Sequence, residues 1–67
     1  MKIIVLHDRY SNKPIIIRVD AITAIKKVID RVENSKDEYS AVFVSQTIFE
    51  VKEHIDVVMS KIKNVEK

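Results

Sequence analysis

The chain has 67 residues, of which 46% are apolar and 33% charged, and a formal net charge of +2 at pH 7. That length holds one small domain, near the lower limit for a single core, and the apolar share is too high for a disordered chain. Cysteine and glycine are both absent, which excludes disulfides, thiolate metal clusters, thiol nucleophiles and glycine-rich phosphate loops.

The apolar residues are eleven Ile and ten Val against a single Leu, Leu6. Side chains branched at Cβ suit a pleated sheet and lose χ1 freedom in a helix, so the bias favours strands. The start, MKIIVLHDRY, holds four consecutive strong apolar residues. That is too short for a signal-peptide core or a membrane span. A soluble, cytoplasmic protein without membrane insertion is the expectation. Residues 2–9 read as a strand, broken at Ser11-Asn12-Lys13-Pro14, and IIIRV (residues 15–19) resumes strand character. Two such runs about a short polar turn predict a hairpin. With no glycine in the chain, Asn12 is the natural residue for a positive φ in that turn.

Residues 20–33 carry two readings. Ile22, Ile25, Ile29 and Val32 fall at helical spacing behind Asp20, a capable N-cap. The same residues also read as a tight turn at DAI followed by a strand. That strand has Ile25, Lys27, Ile29 and Arg31 on one side and Lys26, Val28, Asp30 and Val32 on the other. The Ile/Val bias favours the strand. ENSKDE (residues 33–38) is the most polar stretch and is expected to be a loop. YSAVFV (39–44) and TIFEV (47–51) predict a second hairpin about a turn at Ser45-Gln46. From about residue 53 the period changes: Ile55, Val58, Met59, Ile62 and Val65 form one face of an amphipathic helix. Glu53 and Asp56 lie near its start and Lys61, Lys63 and Lys67 near its end, as the helix dipole prefers. The expected fold is α+β: a small, mainly antiparallel sheet of four to five strands with one C-terminal amphipathic helix packed on a sheet face, as a single domain.

Two segments, KPIIIRVDAITAI (13–25) and FEVKEHIDVVMSKI (49–62), resemble the short FlbD-type proteins of flagellar and swarming motility and their phage and gut-bacterial relatives. Members of that family run a strand into V-K-E-S and then a helix. Here His54 stands in the serine's place, Gln46 stands where a glycine turn is common, and residues 26–38 are longer than usual. The resemblance implies strand for residues 23–32. It carries over no catalytic residue and no cofactor. It implies a motility role, or a phage or prophage accessory role such as inhibition of a host defence protein.

Candidate chemistry is sparse. His7, Asp8 and Ser11 invite a nucleophilic triad, but adjacent residues on a strand point to opposite faces, and a triad needs an oriented base and a preorganised turn. His54 with Glu53 and Asp56 suggests a metal site, yet the two histidines lie 47 positions apart and metal sites converge three or four ligands. His54 reads instead as the start of the helix. No catalytic residue, cofactor or metal is expected. Residues 1–32 contain seven Lys and Arg against three Asp, a local formal charge of +4. Arg9, Lys13, Arg18, Lys26, Lys27 and Arg31, with Tyr10 as a stacking ring, are therefore the candidate nucleic-acid contacts. Val57 and Val58, with Ile62, are the candidate partner surface, because Val57 falls off the main helical stripe and an exposed sheet edge invites pairing. The expectation is a non-enzymatic protein-interaction module that forms a homo-oligomer and binds a protein partner. A regulatory nucleic-acid binder and a ligand-sequestering oligomer are the alternatives.

Overall fold

Strand β1 (Ile3–His7) turns back through residues 8–13 into β2 (Pro14–Arg18) in the computed structural model, which describes residues 1–66. The turn is built by Asp8. Its carboxylate accepts the backbone N–H groups of Tyr10 at 3.0 Å and Ser11 at 2.9 Å, and these bonds hold its pKa below the ordinary value. Asn12 takes φ 62°, the left-handed position its side chain tolerates. A single 3-10 turn (Val19–Ala21) leads into β3 (Ile22–Val32), followed by β4 (Ser35–Val44), β5 (Thr47–Val51) and the helix α1 (Ile55–Val65).

All strand pairs are antiparallel. Strand β3 is a strand throughout, so the branched-residue bias outweighs the helical spacing of Ile22, Ile25, Ile29 and Val32. Residues 33–38 are not a loop. Only Glu33 and Asn34 turn, Val32 pairs with Ser35, and residues 35–38 extend β4. Their polarity reflects two solvent-facing strand faces, which a composition reading takes for a loop. Residues 27–38 thus form a two-stranded arm, and the molecule measures 42 × 23 × 20 Å.

The strands form two sheets rather than one, β1-β2 and β3-β4-β5. They are stitched by a bridge between Asp8 and Val51: Lys52 N–H donates to the His7 carbonyl and Arg9 N–H to the Glu50 carbonyl, both at 2.9 Å. The stitch is short because β1 ends there. Beyond it, α1 packs against β1 and β3 and closes the interior. Ile4, Leu6, Ile17, Val42, Val51 and Val58 form the core, with Ile15, Ile25, Phe49, Ile62 and Val65 packed around them. Ser40 is the one buried polar side chain among the described residues, and its hydroxyl donates to the Glu53 carbonyl at 2.7 Å. That bond ties β4 to the last residues before the helix and removes the cost of an unpaired buried hydroxyl. No helix of the described residues is long and apolar enough to cross a membrane.

Candidate functional site

Arg9 leaves the β1-β2 turn and lies over the outer face of the three-stranded sheet. Its guanidinium carbon sits 3.7 Å from the Tyr39 ring centre and 4.8 Å from that of Tyr10. Nη2 donates to Asp37 at 3.0 Å and to Asp30 at 3.2 Å, and Nη1 donates to the Tyr10 hydroxyl at 2.7 Å. Glu50 stands 4.0 Å away and accepts the Tyr39 hydroxyl proton at 3.1 Å. Only 12% of the Arg9 side chain is exposed. Burial works against its charge, but the bonds to Asp37 and Asp30 prevail and hold its pKa above the ordinary value. Nε also donates to the same Asp37 oxygen at 3.2 Å, and this paired donation combined with stacking suits a planar guanidinium better than an ammonium.

A second cluster lies where β1, β4 and the start of α1 meet. Glu53 Oε1 accepts the His7 backbone N–H at 3.0 Å, and Oε2 faces His7 Nδ1 at 2.7 Å. Burial alone would raise the Glu53 pKa, yet the two His7 bonds hold it below the ordinary carboxylate value. A carboxylate orienting an imidazole is half of a general-base pair. Among the described residues, however, no hydroxyl bonds the His7 ring: Ser11 bonds Asp8, and Ser40 bonds the Glu53 carbonyl. Nor is there a group of three metal-ligating side chains among them.

His54 occupies the N-cap of α1 with extended backbone and no side-chain cap bond. Its ring instead meets Glu38 at 3.0 Å, and Lys27 reaches the same carboxylate at 3.7 Å. The position is thus the helix start read from the sequence, with an added link to β4.

The basic residues singled out in the first half do not converge. Arg9 is enclosed by carboxylates, Arg18 pairs with Asp20 at 3.0 Å, and Lys27 pairs with Glu38. Lys26 and Lys27 project to opposite faces of β3, Arg31 lies far along the arm, and Lys13 belongs to the turn that also holds the exposed Tyr10. Of the three apolar helix positions, Val57 is exposed and Ile62 half-buried against the core. Val58 is fully buried and packs in the core, so it offers nothing to a partner; it faces inward with Ile62 and Val65 on the same helical stripe. Met59, counted with the core-facing stripe, is half exposed.

Apolar surface does appear where the helical pattern gave no hint. Ile3, Val5 and Ile16 share the outer face of the β1-β2 hairpin, with Val5 directly opposite Ile16. They are 43%, 38% and 68% exposed. The signal was present in the sequence, since β1 and β2 are apolar at every position from Ile3 to Leu6 and from Ile15 to Ile17 and cannot bury both faces of a hairpin. An open groove of about 290 Å³ runs beside them between β1 and α1, where Lys61 Nζ donates to the Val5 carbonyl at 3.1 Å. Comparison with known protein families, with curated proteins and with solved structures finds no match to this chain.

Proposed function

We propose that the chain is a non-enzymatic protein-interaction module that works as a homo-oligomer. The observation that carries this reading is the outer face of the first hairpin, where Ile3, Val5 and Ile16 are exposed beside an unpaired strand edge. In an antiparallel pair the hydrogen-bonding direction alternates along each strand. Asp8 N–H bonds the Lys13 carbonyl and Val19 N–H the Lys2 carbonyl, so residues 13, 15, 17 and 19 point at β1. The backbone groups of Pro14, Ile16 and Arg18 therefore point away from it. Two copies of this edge can pair about a two-fold axis through Ile16. Ile16 then exchanges two backbone bonds with its counterpart, and the Pro14 carbonyl accepts the Arg18 N–H of the other copy. Proline's missing donor costs one bond at each end and fixes the register.

Two biological settings fit a module of this kind: motility, as the FlbD-type resemblance suggests, and a phage or prophage accessory role that includes blocking a host defence protein. Both require surface complementarity and no chemistry. A regulatory nucleic-acid role through Arg9, Tyr10, Lys13, Arg18, Lys26, Lys27 and Arg31 has less support, because three of these cations already face carboxylates. The test is a cross-linked pull-down from host lysate with both protein and nucleic acid identified. A reproducible protein partner fits the reading, and recovery of RNA or DNA alone overturns it.

A further inference from the structure

The arm carries two like-charged cross-strand pairs back to back. On one face Asp30 stands opposite Asp37; on the other Arg31 stands opposite Lys36. Like charges directly opposite each other destabilise a hairpin. The acidic pair has its counterion, since Arg9 bonds both carboxylates. The basic pair has none: among the described residues neither Arg31 nor Lys36 forms an ion pair. The same face holds Lys27, Ile29 and, across from Ile29, Glu38. Among the described residues, Glu38 is the one carboxylate on the paired positions of that face, and Lys27 and His54 already share it. A surplus of positive charge therefore surrounds Ile29, an apolar side chain left 40% exposed.

A two-stranded ribbon standing clear of the core is marginal by itself. An arm that keeps both an exposed isoleucine and an uncompensated basic pair is built to be completed from outside. We propose that this face of the arm, Lys27, Ile29, Arg31 and Lys36, docks an acidic segment of a partner protein. Carboxylates of that segment meet Arg31 and Lys36, and an apolar side chain next to them along the strand covers Ile29. Charge complementarity alone would also admit nucleic acid. The face does not suit it: tight backbone binding needs many phosphate contacts, and here three cations are interrupted by Glu38 and Ile29. The inference rests on the protein-interaction reading and names the chemistry of the partner.

The test is an NMR titration of the intact chain with a short Glu-Ser-Val-Ser repeat peptide, which in extended form sets Glu and Val on one face, beside a parallel titration with a short DNA duplex. The expected result is peptide-induced shifts confined to residues 27–31 and 36–38. They weaken as salt rises, and affinity falls roughly tenfold or more when Arg31 and Lys36 are both changed to Ala. Shifts spread evenly over all lysines, no binding, or tighter binding of the duplex to this face would each overturn the proposal. Lys36→Glu supplies a second readout. It places an opposite charge across from Arg31, so its melting temperature should rise while peptide binding is lost. A lower melting temperature would show that the native pair carries no uncompensated repulsion. Failure on these terms leaves the homo-oligomer standing, because β2 and Ile16 lie off the arm; the mass of the native species reports on that separately.

Discussion

Asp30 and Asp37 face each other across β3 and β4, and the Arg9 guanidinium bonds both while lying flat on Tyr39. A residue from the first turn thus fastens the middle of the arm to the body. Replacing Arg9 with Ala leaves two carboxylates opposed without a counterion. Amide exchange across residues 29–38 should quicken, while Val42 and Val51 in the core remain protected. Arg9→Lys should rescue only part of the loss, since an ammonium lacks the flat face that stacks on Tyr39 and the second nitrogen that reaches Asp37. Full rescue by lysine would show that charge alone is at work.

Glu53 links pH to stability. Its folded pKa is depressed, so its contribution is complete above the ordinary carboxylate value of 4.5 and is lost as pH falls through the lower folded value. Glu53→Gln should destabilise the fold by about 1–3 kcal/mol at neutral pH, the range for losing a charged hydrogen-bond partner. Its stability should also fall less steeply than that of the wild type as pH drops below 4.5. Denaturant melts at several pH values check this. Parallel acid limbs for the two proteins would remove Glu53 from the account.

His54→Ser exchanges one small effect for another. A serine N-cap is worth about 1 kcal/mol over a residue that makes no cap bond. The exposed His54–Glu38 contact at 3.0 Å is worth about 0–1 kcal/mol. The variant should therefore melt slightly higher, and a lower melting point would mean that the Glu38 contact matters more than the cap.

Glu33 sits at φ 54° in the turn at the tip of the arm, where a residue with a Cβ costs about 1–2 kcal/mol. Glycine removes that strain but adds about 0.5–1 kcal/mol of chain entropy. Glu33→Gly should stabilise the fold by about 0–1.5 kcal/mol, seen as a shift in the denaturant midpoint. A loss of stability would mean that the Glu33 side chain makes a contribution of its own.

Local patterns made much of this fold legible. The Asn12 turn, the strands about it, the Ser45 turn and the helix were readable because each depends on residues within a few positions of one another. Branched residues decided β3 correctly against its helical spacing. Pairing over distance was not legible. His7 and Glu53 lie 46 positions apart, and nothing near either residue announces the other. The arm was hidden because polar residues on two wet strand faces look like a loop. The opposition of Arg31 and Lys36 exists only once the register is known. Val58 belongs to the apolar stripe with Ile62 and Val65, so its burial follows from the helical spacing, and of the two valines named as partner surface only Val57, off the stripe, is exposed.

The homo-oligomer rests on one claim, that the β2 edge at Ile16 pairs with the same edge of a second copy. Light scattering on the purified chain, with and without Ile16→Glu, tests it most directly. Wild type should give at least twice the mass of the 7.8 kDa chain, and the variant should be folded and monomeric. A wild-type chain that stays monomeric as its concentration rises would contradict the claim.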